Sequence, residues 1–110
     1  MNVGDLYWVD LPAGAGHAQS GRRPAIIAQT RSTLPTVLMI PLTSQLNALR
    51  FPGTVLVAKT PGNGLRQDSV ALLFQLAAVD KRALAGQLGA VTDAVMEQIW
   101  QSFDELVGRT

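Results

Sequence analysis

Apolar positions fall into two rhythms along this chain. Up to Val79 they come in short blocks separated by Gly, Pro and small polar clusters, the pattern of strands and turns. Leu6-Tyr7-Trp8-Val9, bounded by Gly4 and Pro12, predicts a first strand. Arg23 to Thr30, Thr36 to Leu42 and Thr54 to Ala58 predict three more, with a turn over Arg31 to Pro35. The second and third blocks are almost continuously apolar, which predicts burial on both faces. Val70 to Val79 is one long apolar run broken only by Gln75, and it predicts a strand bent or split there. An amide inside such a run needs hydrogen-bond partners, for which the backbone is the default source. Asp80 to Leu84 predicts a helical turn, and Leu84 to Val91 a short strand or extended segment.

The second rhythm begins at Thr92. Val95, Met96, Ile99, Trp100, Phe103, Leu106 and Val107 recur at helical spacing, with Asp93, Glu97, Gln101, Asp104 and Glu105 on the other side. Thr92 suits the N-cap, Asp93 complements the positive helix end, and Gly108 suits a left-handed terminus. The helix is expected to pack on the sheet, with Trp100 and Phe103 in the core or at a subunit contact. All six prolines lie in the first 61 residues, so only the last part of the chain is free to form a long helix.

A chain of 110 residues supports one domain, 1–110, with one modest core. With 47% hydrophobic and 15% charged residues it is expected to fold. Cysteine is absent, which excludes disulfides, thiolate chemistry and cysteine-ligated zinc. No stretch nears the eighteen apolar residues of a membrane span and no secretory leader is visible, so a cytoplasmic protein is the expectation. The net charge of +1 hides an asymmetry. Residues 1–66 carry six Arg/Lys against two Asp, whereas residues 67–110 carry three against six Asp/Glu. The first part suits a polyanion.

The stretch Gly16 to Ile27, GHAQSGRRPAII, concentrates candidate chemistry. The only histidine, His17, precedes Arg22 and Arg23, and Pro24 is expected to mark the corner where a loop becomes a strand. An imidazole that titrates near neutrality beside guanidinium forks fits a phosphodiester site. A plain polar loop with two solvated arginines fits the same residues. Thr43-Ser44-Gln45, directly after the third strand, offers hydrogen-bonding side chains and also fits a Ser/Thr turn or the start of a short helix. With one histidine, no cysteine and no GxxxxGK[ST] loop, the chain has neither a histidine-pair zinc site nor a P-loop. RNA cleavage needs no cofactor, because the substrate supplies its own 2′-hydroxyl.

Taken in order, GDLYWVDLP, GHAQSGRRPAII, IPLTSQ, DSV with Gln75 soon after, and a terminal helix ending in Gly resemble the MazF/PemK family of toxin endoribonucleases. The combination of G-x-x-Q-x-G-x-R-P with P-[ILV]-T-[ST] is specific, and the resemblance spans nearly the whole chain. It implies a mainly β fold, a small SH3-like barrel of the CcdB/PemK type with short helices and a C-terminal α-helix. It further implies a homodimer, metal-independent cleavage of single-stranded RNA without cofactors, and neutralisation by a cognate antitoxin. The groove for that antitoxin would be lined by Arg22, Arg23 and Arg50. Carried over by position, Arg23 stabilises the transition-state phosphate, Thr43 contacts it, and His17 is a candidate acid or base. Arg22, Gln19, Ser44, Gln45 and Gln75 are candidate RNA contacts. Two positions depart from the family pattern, with Phe74 where many members carry an acid and Ala77 where they carry an arginine. A non-catalytic gyrase poison of CcdB type is a second reading, opposed by the ending Val107-Gly108-Arg109-Thr110 in place of a Trp-Gly-Ile type. A silent relative that only binds RNA or antitoxin is a third.

Overall fold

The computed structural model describes residues 1–11 and 21–109. The strands are β1 (Asp5–Leu11), β2 (Gly21–Gln29), β3 (Thr36–Thr43), β4 (Thr54–Val57), β5 (Ser69–Leu72), β6 (Ala77–Asp80) and β7 (Leu84–Ala90), followed by helix α1 (Asp93–Leu106). All pairings are antiparallel, in the order β4-β5-β3-β2-β1-β7, with β6 also on β3. The fold is mainly β and barrel-like, as expected.

β3 organises the sheet because it changes partner along its length. Residues 36–39 pair with β6 and residues 42–43 with β5, while the opposite edge pairs with β2. Pro41 falls between the β6 and β5 ladders, where a missing N–H interrupts neither. The two ends of the sheet are drawn together by the β4–β5 connection, whose Gly62 carbonyl accepts from Ala90 N in β7 at 3.1 Å. A Cβ at Gly89 would collide with that same carbonyl, so glycine permits the close approach.

The central strands are covered on both faces, which is why their sequences are so apolar. Leu6, Ile26, Ile40, Leu42, Val57 and Ile99 belong to the main core, while Val9, Ala25 and Met39 form a second cluster against Val79 and Leu84. Burying each large aliphatic side chain contributes roughly 1.5–3 kcal/mol. α1 seals the main core with Met96 and Ile99. Its ends follow the expected chemistry: Val95 N donates to Thr92 Oγ1 at 3.3 Å. At the other end Gly108 adopts φ +77. There Gly108 N donates to Glu105 O and Arg109 N to Asp104 O, the paired bonds of a Schellman close. Phe103 packs on the core, whereas Trp100 is more than a third exposed. No helix among the described residues is long and apolar enough to cross a membrane.

Two expectations are corrected. Pro24 does not open β2 but lies inside it, opposite Trp8 of β1. The β2–β3 ladder starts only at Ala25, so Pro24 has an open edge on that side and its missing donor costs little. Arg22 and Arg23 are therefore strand residues, on opposite faces of β2, and not a loop corner. The apolar run 70–79 does split, into β5, a 3-10 turn over Leu73–Gln75, and β6. That turn carries Gln75 outward into solvent, so its amide needs no buried partner.

Candidate active site

The register that sets Ala25 opposite Pro41 and Ile26 opposite Ile40 brings Arg23, two residues further, to the level of Thr43. There β3 swings away to pair with β5, and the strands part. The gap is a cleft of about 340 Å³. Trp8, Pro24, Leu42 and Leu88 give it an apolar side. Arg23, Thr43, Ser44 and Gln45 line it from β2 and the end of β3, and Arg66 and Gln67 from the β4–β5 connection. No carboxylate stands among the described residues that line it. Partial burial pushes the Arg23 guanidinium below its ordinary value. A cation partly desolvated in this way pairs somewhat more strongly with an entering anion than a fully exposed arginine does.

Thr43 and the residues after it satisfy both local expectations at once. Gln45 N donates to Thr43 Oγ1 at 3.2 Å, the bond of a Ser/Thr turn, and a 3-10 turn over Leu46–Arg50 follows. Because the hydroxyl oxygen accepts that bond, its own hydrogen stays free to donate to a ligand.

Other candidates lie elsewhere. Arg22 Nε donates to Asp10 Oδ1 at 3.0 Å, a cross-strand pair with both side chains more than half exposed, and it does not line the cleft. Gln75 sits exposed on its 3-10 turn, beside Phe74, whose ring meets Phe51 edge-on at 5.9 Å. Neither Phe74 nor Ala77 lines the cleft. The Arg50 guanidinium lies 4.6 Å over the Phe51 ring, not against Arg23. His17 and Gln19 lie outside the described residues. No group of three His, Cys, Asp or Glu able to hold a metal is found among those described.

Trp8, Arg66 and Gln67 are cleft residues that the sequence alone did not single out. Arg66 reaches the site because its loop is tied down. The Asn63 side chain, almost fully buried, accepts from Thr60 N and Leu65 N, each at 3.0 Å, and donates to Ala58 O at 2.9 Å. Beyond Arg66, Asp68 accepts from Lys59 N at 2.9 Å, and Ser69 Oγ donates to Gln67 O at 3.1 Å. The turn composition PGNGLRQD was the available signal, and it marked a loop without saying where the loop docks.

The chain has relatives among known proteins. A relative described as Endoribonuclease MazF from Staphylococcus saprophyticus is 32% identical over 111 aligned residues, covering 98% of this chain and 92% of the relative. The crystal structure of MazF from Deinococcus radiodurans superposes with a TM-score of 0.79 at 26% identity, covering 98% of this chain and 96% of that one. The MazE-MazF structure from the same organism gives 0.76 at 25% identity, covering 100% and 97%. The family model of PemK-like, MazF-like toxins of type II toxin-antitoxin systems matches residues 2–107, and the chain belongs to that family.

Proposed function

We propose that this toxin, an endoribonuclease, cuts single-stranded RNA in the cleft between β2, the end of β3 and the β4–β5 connection. The observation that carries the reading is the joint presence of Arg23 and Thr43 at one level of a cleft lined by two arginines and no described carboxylate. In the proposed reaction the 2′-hydroxyl attacks the adjacent phosphorus and the 5′-oxygen leaves. The Arg23 guanidinium faces the oxygens on which negative charge builds, and the Thr43 hydroxyl donates to one of them. His17 is proposed as the group that moves a proton, and Ser44 and Gln45 as contacts to the neighbouring nucleotides. Each step moves protons and stabilises charge, which side chains alone can do.

The toxin is further proposed to act in the cytoplasm as a homodimer neutralised by a cognate antitoxin. The related MazE-MazF structure and the exposed Phe51–Phe74 ring pair, a surface apt for protein contact, support the protein-partner part of this reading.

Incubating purified protein with single-stranded RNA in excess EDTA tests the reading. The expected products carry 2′,3′-cyclic phosphate and 5′-hydroxyl ends, and Arg23→Ala yields none. RNA of varied sequence left intact at high protein concentration overturns it.

A further inference from the structure

We propose that Trp8 and Arg66 form a nucleotide subsite beside Arg23 and Thr43, with the indole stacking on a base next to the cut and the guanidinium holding a neighbouring phosphate. The inference rests on the reading of the cleft as the RNA site.

Three features of the fold lead to it. Trp8 is half-buried on the apolar side of the cleft, and its cross-strand neighbours are Pro24 in β2 and Gly86 in β7. Pro24 is compact and Gly86 has no side chain. A Cβ placed at Gly86 meets nothing within 4 Å among the described residues. Among the described residues, space for a flat ring is therefore left beside an aromatic side chain flanked by two strands. Base–aromatic stacking is tolerant of sequence and a major source of affinity for single strands.

Arg66 supplies the charge. It stands on a short arch between two anchors, the Asn63 amide on one side and the Asp68 and Ser69 contacts on the other. The arch is itself pinned to β7, where Gly62 O accepts from Ala90 N and a Cβ on Gly64 would collide with the Leu88 carbonyl. A loop fixed at both ends keeps its backbone in place when the strand enters, so the ordering cost on binding is confined to the Arg66 side chain. Arg66 and Arg23 come from different elements around the same cleft, an arrangement suited to two phosphates of one strand.

The experiment begins by sequencing transcript ends after induced expression, which gives a cut sequence. A fluorescent oligonucleotide of that sequence, with a 2′-O-methyl group on the ribose that attacks, is then a probe that binds without being cut. Arg66→Gln is expected to lower the slope of log affinity against log salt by about 0.7, the share of one phosphate contact in a single strand. Trp8→Ala is expected to weaken probe binding about tenfold or more and to raise KM while kcat holds, whereas Trp8→Phe retains most of the affinity. In a Trp100→Phe background, probe binding should quench the emission of Trp8, a readout that needs no substitution in the cleft. An unchanged salt slope in Arg66→Gln, or an unquenched Trp8, overturns the subsite while wild-type cleavage continues. A wild-type protein that cuts no RNA overturns the underlying reading instead.

Discussion

Gln45 N lies 3.2 Å from Thr43 Oγ1, so one short turn fixes a side chain that lines the cleft together with Arg23 and leaves its hydroxyl hydrogen free. Thr43→Ser keeps both the acceptor for Gln45 and the donor for phosphate, and should retain most activity. Thr43→Val removes both at nearly constant volume. Its kcat should fall by roughly 10²-fold with a circular dichroism spectrum unchanged, a drop of the size seen when one transition-state donor is lost. Full activity in Thr43→Val would remove the residue from the reaction.

Arg23 should tolerate no replacement. Lysine keeps a charge but not the planar fork that meets two phosphate oxygens together. Arg23→Lys is expected to lose on the order of 10²-fold in kcat, and Arg23→Ala at least as much. Single-turnover cleavage of a labelled oligonucleotide measures this, and near-normal rates in Arg23→Lys would show that point charge suffices.

Asn63 should matter for stability and, through the arch carrying Arg66, for binding. Asn63→Ala leaves Thr60 N and Leu65 N without their acceptor and Ala58 O without its donor. The expected cost is about 1–3 kcal/mol in urea unfolding. Asn63→Asp keeps the two acceptor bonds and should fall between alanine and wild type.

Asp80 reports on pH. Its hydrogen bonds to the Arg82 side chain and backbone hold its carboxyl below the ordinary value. A depressed folded value means stability present above the unfolded carboxylate range and lost as pH falls through the folded value. The Tm difference between wild type and Asp80→Asn should therefore be full at neutral pH and close in acid. Because both partners are exposed, the difference should also shrink in high salt.

The sequence by itself determined what depends on neighbours along the chain. Apolar blocks between Gly and Pro marked the strands, helical spacing with Thr92 and Gly108 marked α1 and its ends, and Gln75 marked a break in a long run, because periodicity, capping and turn chemistry are local. The order of motifs also identified the family. Only the tertiary structure decided which side chains meet. Pairing of β1 with β2 sets Arg22 against Asp10, and the end of the β2–β3 ladder at Ala25 leaves Arg23 at the cleft. Pro24 could be read as a strand opening because sequence does not reveal that one edge of β2 is unpaired there. Trp8 and Arg66, 58 positions apart, share a cleft through β1–β2 pairing and a loop docked on β7. Such contacts are nonlocal, and their energy exists only once the β2–β3 ladder has ended and the cleft between the two strands has opened.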